Sequence, residues 1–384
     1  MSDAATSQAE GLRRLDDHEQ PLEHCTYCPK MCRLACPMAE ATGRESVTPW
    51  ALMGLANHVR KGHVGLDAEI ARSFYDCTGC LRCQPYCLHG NDVPTTLWAA
   101  REIAVGQGAV PAEVAAAKAC FDANGSMFEP GDRAAAAAAV AEAVPGQAID
   151  AKAPDVLFLA CATAANPRRA ADAARAATGA LGKVALPDPA LRCCGAPLRD
   201  LGFVAEFKAV ARANQALLAG HERIVCDASI CARTLEKEYP KVGADLGVPV
   251  VDLVTSLDGA LTGDKLKGIK KRTEKAVYHD PCHLGRHAGV YDAPRRLASA
   301  LFEKPLGEFP WSRERGSCCG GGGGFPFVDR RSARMMASAI ADEAREAGYE
   351  LIVTGSAECA AMLSEAQPSF PVRTIACLVG QMLR

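Results

Sequence analysis

From Pro154 onward, short apolar runs alternate with helical patterns. VLFLA (156–160) precedes a helix predicted from about Pro167 to Thr178. RIVC (223–226) leads to a helix around Arg233–Tyr239, and VPVVDLV (248–254) follows. The last third repeats the order with KAVYHD (275–280), a helix from Pro294, LIVT (351–354) and VRTIACL (372–378). Strands alternating with helices predict parallel βαβ units. Upstream, the stretch from Pro49 to Phe74 reads as helical. Pro111 to Ile149, with EPGDRAAAAAAVAEAVPG, reads as helices and a Pro/Gly-bounded linker without chemistry. The expected layout is a disordered leader (1–20), a helical module (21–105), a helical linker (106–153) and two α/β domains (154–262 and 263–384).

Composition narrows the function. With 384 residues and 49% hydrophobic side chains, the chain holds material for two or three cores. A formal net charge of −2 argues against nucleic acid as a partner, because neutralising phosphates needs a basic surplus. The N-terminal MSDAATSQAEGLRRLDDHEQ has no apolar h-region, and no run of 18 apolar residues occurs, so no export signal and no direct membrane span are expected. The expected location is cytoplasmic, or peripheral on the inner face of a membrane through a partner. Nineteen cysteines change the picture most. In a reducing compartment disulfides are disfavoured, and metal binding becomes the default.

The cysteines reveal an internal duplication. Cys161, Cys193, Cys194 and Cys231 are answered by Cys282, Cys318, Cys319 and Cys359, at offsets of 121, 125, 125 and 128 residues. Both copies carry Cys-Cys-Gly, as CCGAP (193–197) and CCGGG (318–322). Two tandem domains of one ancestry is the economical reading. Cys120 and Cys377, the latter in an apolar run read as a strand, are expected to be core residues.

The first cysteine run is Cys25-x2-Cys28-x3-Cys32-x3-Cys36-Pro37, and the second is Cys77-x2-Cys80-x2-Cys83-x3-Cys87. Three thiolates at such spacing can wrap one face of a cubane, while a fourth leaves the turn and reaches another cluster. Zinc, the alternative, takes separated Cys pairs. The pattern resembles a two-cluster ferredoxin of the helical variant. That resemblance implies one 4Fe–4S cluster on Cys25, Cys28, Cys32 and Cys87, and a second on Cys77, Cys80, Cys83 and Cys36. The x3 in the first run and Leu88 after Cys87 depart from the bacterial pattern.

YHDPCHLGR (278–286), GSCCGGGGG (316–324) and Cys359 resemble the cysteine-rich CCG domain of heterodisulfide reductases and of the glycolate oxidase iron–sulfur subunit. The resemblance implies an α/β fold with an all-α N-terminal module: a helical ferredoxin domain, then two duplicated parallel-sheet CCG domains. One or two further iron–sulfur clusters would be held by Cys161, Cys193, Cys194 and Cys231, and by Cys282, Cys318, Cys319 and Cys359. Gly195, Gly320 and Gly321 are expected to bring backbone N–H groups to cluster sulfur and to leave room for a substrate or partner. The family's last motif is Cys-x-x-Cys, but Ala228 and Ser356 stand at its first position here, and Cys226 aligns with Thr354. His279 and His283 flank Cys282 in a predicted loop and, with Asp280 and Arg286, are candidates for steering a proton or an anion.

No dinucleotide fingerprint appears. The first functional reading is an electron-transfer subunit between a flavoprotein dehydrogenase partner and a membrane quinone-reactive or thiol/disulfide acceptor. The second is a disulfide reductase with Cys282, Cys318, Cys319, Cys359 and His283 as its active site. A redox sensor or scaffold is the third.

Overall fold

The computed structural model describes residues 15–127, 130–144, 150–186, 193–261 and 270–383. Of the leader expected over 1–20, residues 1–14 lie outside that set. The rest is ordered, since Leu15 is fully buried against Leu22, Leu52 and Met53. Burial of one leucine is worth roughly 2 kcal/mol, enough to anchor a short segment.

The N-terminal module consists of α1 (Glu19–Thr26), α2 (Pro49–Arg60), α3 (Ala68–Phe74) and α4 (Val93–Gly106). The stretch read as one helix is two. Gly62 turns the chain in the left-handed region (φ +70°), and Asp67 then caps α3 by accepting from Ile70 N (2.9 Å). Both cysteine runs lie largely in the irregular backbone between helices, where turns can aim several sulfurs at one centre.

The expected linker is part of the core. Val114 and Phe121 of α5 (Ala112–Asn124) pack into the first α/β domain. Ala136 and Val140 of α6 (Pro130–Ala143) pack on α7 (Pro167–Leu181).

Two parallel sheets follow. The first joins β1 (Asp155–Phe158), β2 (Arg223–Cys226) and β3 (Val250–Asp252) in that order. The second joins β4 (Ala276–His279), β5 (Gly307–Glu308), β6 (Leu351–Thr354) and β7 (Val372–Thr374) in the order β5-β4-β6-β7. A parallel bridge from Val156 to Ala185 occupies, beside β1, the place that β5 holds beside β4. The two sheets therefore share one topology. The runs read as strands over 248–254 and 372–378 stop early. Asp252 and Thr374 cap helices there by accepting from Val254 N (2.9 Å) and Cys377 N (3.1 Å). Cys377 thus lies in a buried helix, not in a strand. The helix expected around Arg233–Tyr239 is an α-helical turn, Ser229–Arg233, continued as a π-helical one, Thr234–Glu238.

The flanking helices include α8 (Leu253–Ala260), α9 (Asp292–Leu301), α10 (Arg330–Glu346), α11 (Ala357–Ala366) and α12 (Ile375–Met382). They pack crosswise, α7 of the first domain on α12 of the second and α9 on α8, so the two domains share one apolar core.

One buried cation ties the N-terminal module down. Arg101, on the core face of α4 with Leu97, Ala100 and Ala104, is 3% exposed. Its guanidinium donates to the carbonyls of Phe74 (3.0 and 2.8 Å), Cys77 (2.6 Å) and Asp200 (2.7 Å). Replacing it strands three buried acceptors, each worth about 1–3 kcal/mol. Arg101→Met is expected to lower stability by about 3 kcal/mol or more in denaturant titration of the iron-loaded protein. An unchanged midpoint would refute the clamp.

Candidate iron–sulfur sites

In both α/β domains the strand order reverses between the first and third strands, the place where open parallel sheets collect ligands at strand carboxyl ends. Cys161 follows β1, the Cys193–Cys194 pair follows the Ala185 bridge, and Cys231 follows β2. Cys282, Cys318–Cys319 and Cys359 follow β4, β5 and β6 in the same way. In each domain the four thiols lie close enough to perturb one another's ionisation in the order 161–193–194–231 and 282–318–319–359.

The helical module holds two adjoining groups. Cys25, Cys28, Cys32 and Cys87 line one cavity, and Cys36, Cys77 and Cys80 line the next; Cys83 borders both. Asn91 Nδ2 donates to Cys25 Sγ (3.2 Å) and Gly79 N to Cys77 Sγ (3.4 Å).

The donor set suits a cationic cluster. All 19 cysteines are free thiols. Burial pushes Cys25 and Cys36 up to about 12 and Cys77 up to about 11. Thiols this hard to ionise become ligands only where bound iron compensates the thiolate charge. Backbone donors are in place, with Gly320 N on Cys318 Sγ and Gly321 N on Cys319 Sγ (3.4 Å each).

The space expected beside the glycines is filled by protein. A side chain at Gly320 would meet the Ala333 backbone at 3.0 Å, and one at Gly321 would meet Glu358 O at 2.9 Å. Gly195 adopts φ +84° against the Phe207 ring. These glycines allow close packing of the loops that carry the cysteines.

The second α/β site touches the helical module. Cys80 lies close enough to Cys318 for the two thiols to perturb one another, and Thr78 Oγ1 lies 3.7 Å from Cys318 Sγ. Arg286 donates to Cys80 O and to Gly316 O (2.7 Å), Arg82 donates to Arg315 O (2.8 Å), and His287 Nε2 lies 2.8 Å from Gly79 O. Arg286 is therefore a staple between loops. Asp280 is also structural, paired with Arg295 (2.8 and 2.9 Å) and accepting from Arg313 N. His279 ends β4, not a loop, and bonds Thr354 Oγ1 (3.3 Å) and Ser317 O (3.2 Å). His283 differs. It is 2% exposed, stacks on His287 with centroids 4.7 Å apart, and neither ring nitrogen has a partner. Burial, with the nearby charges of Arg233, Arg199 and Arg286, holds its pKa well below the usual imidazole range.

The first site has its own neighbours. Ser126 hydrogen-bonds Cys161, and Cys193 N donates to Gly125 O (3.3 Å), so the supposed linker borders it. Ala228 and Ser356 face each other's domain: Ser356 Oγ accepts from Ser229 N (3.1 Å) and donates to Glu358 (2.6 Å). Sequence reasoning missed Arg101, Asn91, Thr78 and His287. An arginine at an apolar helix position was the one visible signal.

Cysteine sites built at strand ends and in inter-helix turns define an iron–sulfur protein with a ferredoxin-type module on a duplicated α/β body. Comparison with known families gives this substance. Residues 21–91 match the 4Fe-4S dicluster domain, and residues 156–236 and 276–364 match two copies of the cysteine-rich domain, CCG. The chain therefore carries a ferredoxin-type domain for two 4Fe–4S clusters and two cysteine-rich CCG domains for further iron–sulfur clusters. It is similar to one component of the dihydromethanophenazine:CoB–CoM heterodisulfide reductase of Methanosarcina barkeri (30% identity; 58% of this chain, 56% of that one). It is also similar to the EtfAB:quinone oxidoreductase of Syntrophomonas wolfei (26%; 78% and 44%) and to a probable membrane-anchored ferredoxin of Chromohalobacter salexigens (34%; 46% and 27%). The chain thus spans from about a quarter to just over half of these relatives' lengths. A crystal structure of a hypothetical protein from Helicobacter pylori shares the fold (TM-score 0.54, 10% identity, covering 100% of this chain and 77% of that one). No helix among the described residues is long and apolar enough to cross a membrane.

Two acids behind the first site make stability pH-dependent. Burial raises Asp227 to about 6 and Asp252 to about 7. An acid whose folded pKa exceeds its unfolded value of about 3.9 has no effect while both states are protonated. It destabilises the fold progressively as pH rises through that window, and fully above pH 7. Asp252→Asn, which keeps the cap on Val254, is expected to flatten the loss of stability between pH 5 and pH 8 by on the order of 2 kcal/mol. Parallel pH profiles of the thermal midpoint for both proteins would refute this.

Proposed function

We propose that the chain is the iron–sulfur electron-transfer subunit of an oxidoreductase complex, working between a flavoprotein dehydrogenase and a quinone-linked or thiol/disulfide acceptor. The observation that carries this reading is the adjacency of the two ferredoxin cysteine sites to each other and to the cysteine site of the second CCG domain. On this reading, Cys25, Cys28, Cys32 and Cys87 hold the outer 4Fe–4S cluster and Cys36, Cys77, Cys80 and Cys83 the inner one. Cys282, Cys318, Cys319 and Cys359 hold the next centre, and Cys161, Cys193, Cys194 and Cys231 the last. Cys83 borders both ferredoxin cavities, and the closeness of Cys80 to Cys318 joins the inner one to the second CCG domain. One-electron reduction and oxidation is the chemistry that such clusters supply. The chain's part is to hold them in sequence and exclude water.

The surface supports a docking end. Tyr27 (78% exposed), Met31 (54%), Leu34 (81%) and Leu88 (89%) all lie in the segments that carry the outer cysteines. Large exposed apolar groups on the segments around one site suit a protein contact. That contact is read as the flavoprotein's, because it surrounds the outer cluster. Disulfide reduction has less support: position 356, where a fifth thiolate would stand, is a serine engaged with Ser229 and Glu358.

Iron and acid-labile sulfide analysis of anaerobically purified protein tests the inventory. About twelve to sixteen irons per chain are expected, and about eight would confine clusters to the ferredoxin module. Leu34→Glu with Leu88→Glu is expected to slow reduction by a flavoprotein partner about tenfold, a loss of roughly 1.4 kcal/mol, while leaving iron content and reduction by dithionite unchanged. Equal slowing with both reductants would remove the docking assignment. Turnover of a disulfide by the isolated chain with reduced viologen would overturn the carrier reading.

A further inference from the structure

Away from the cysteine sites, a cleft of about 760 Å³ opens between α6, α7 and the β7–α12 connection. That lies within the range of small-molecule sites, roughly 300–1,000 Å³. Its walls carry Arg168, Arg169, Arg175 and Arg373 against two acids, Glu142 and Asp172. Asp172 is already engaged by Arg175 (2.6 Å) and Gln381 (2.7 Å). Among the described residues, the ion pairs include no carboxylate partner for Arg168, Arg169 or Arg373. Arg169 donates to Ala360 O (3.3 Å) and Ser364 Oγ (3.4 Å) on α11, and Arg373 to the neighbouring Val372 O (2.8 Å).

Arg168 and Arg373 are exposed at the cleft and Arg169 is half-buried. Arg168 and Arg169 occupy the first turn of α7, and Arg373 immediately precedes the cap of α12. Helix N-termini carry the positive end of the dipole and favour anions, yet neither first turn contains an acid. Burial, and Arg373 close by, draw Arg169 below the usual guanidinium range. Three guanidinium groups at two helix starts offer an anion several donors.

We propose that this cleft binds a phosphorylated small molecule, its phosphate groups held by Arg168, Arg169 and Arg373 where α7 and α12 begin. Guanidinium forks match phosphate oxygens in pairs, and helix N-termini are ready-made anion sites. The cleft is larger than a bare oxyanion needs, and Ala139, Ala143 and Ala171 line space for an organic body. Since α7 belongs to the first CCG domain and α12 to the second, the ligand bridges them and stabilises their docked arrangement. The inference does not depend on the electron-transfer reading.

Calorimetry on the iron-loaded protein, with pyrophosphate, ADP and succinate as probes at matched ionic strength, tests it. Saturable binding of pyrophosphate and ADP with a rise in thermal midpoint is expected. Arg168→Ala with Arg373→Ala should weaken both about tenfold or more without changing iron content, and Arg168→Lys with Arg373→Lys should weaken them less. Absence of saturable binding, or affinities unchanged in the alanine variant, would overturn the site. Succinate binding as tightly as pyrophosphate would overturn the phosphate assignment.

Discussion

A thiol buried away from water resists ionisation, yet only the thiolate binds iron. This chain buries most of its cysteines, and several belong to its apolar clusters. Cys25 and Cys83 sit in that of the helical module, and Cys80 joins Cys282, Cys318, Cys319 and Cys359 in that of the second CCG domain. Removing iron would leave neutral thiols facing one another where a rigid, charged group is meant to hold loops together. Metal binding of this kind is part of the folding free energy. The turns between helices and the loops past the strands are short of regular hydrogen bonds because the clusters they surround supply the cohesion.

That constraint explains how the modules meet. Loops without regular structure expose carbonyls, and the chain answers them with buried cations. Arg101 takes three carbonyls from two modules, while Arg286 and Arg82 take carbonyls across the contact between the ferredoxin loop and the second CCG domain. Each fixes backbone directly, so the sulfurs of Cys80 and Cys318 are held close together by groups that carry no redox chemistry. The first CCG site is served differently. Its neighbours are Ser126 and Gly125 from the segment after α5, and its Cys-Cys-Gly loop lacks the run of glycines. The duplicated body is therefore asymmetric in use: the ferredoxin module packs on both copies, on the first through Arg101 and Tyr75, but its Cys80 meets the cysteine site of the second.

Sequence spacing revealed the parts that depend on local geometry. RIVC and LIVT are strands at the residues read from their pattern, and the four-cysteine periodicity marks two domains of equal topology. What stayed hidden depends on distant partners or on very short elements. β5 has two residues and shows no alternation. The ends of β3 and β7 were misjudged because apolar character continues into α8 and α12, although the capping Asp252 and Thr374 marked the change. The segment 106–153 looked like a tether because alanine-rich helices carry little patterning, yet small side chains are what allow α6 to lie closely on α7. His279, Asp280 and Arg286 drew functional readings from their position around Cys282, and tertiary contacts use all three for structure.

The substitution of the fifth cysteine gains meaning from the same packing. Position 356 lies at the contact between the two CCG domains, where its hydroxyl accepts from Ser229 N and reaches Ser229 Oγ (3.3 Å) and Glu358. Buried polar groups at such a contact must be satisfied, since an unmet one costs about 1–3 kcal/mol. A serine meets that need with one donor and one acceptor. A thiolate committed to iron would supply a weak acceptor and no donor, leaving Glu358 without its hydrogen bond. The change from a five-thiolate to a four-thiolate motif is thus coupled to how the domains join. It trades a ligand for an interface bond at a place where the two copies touch through equivalent loops. A bond of this kind fixes the mutual orientation of the two domains, which is the condition that the proposed carrier role sets on redox centres held in both.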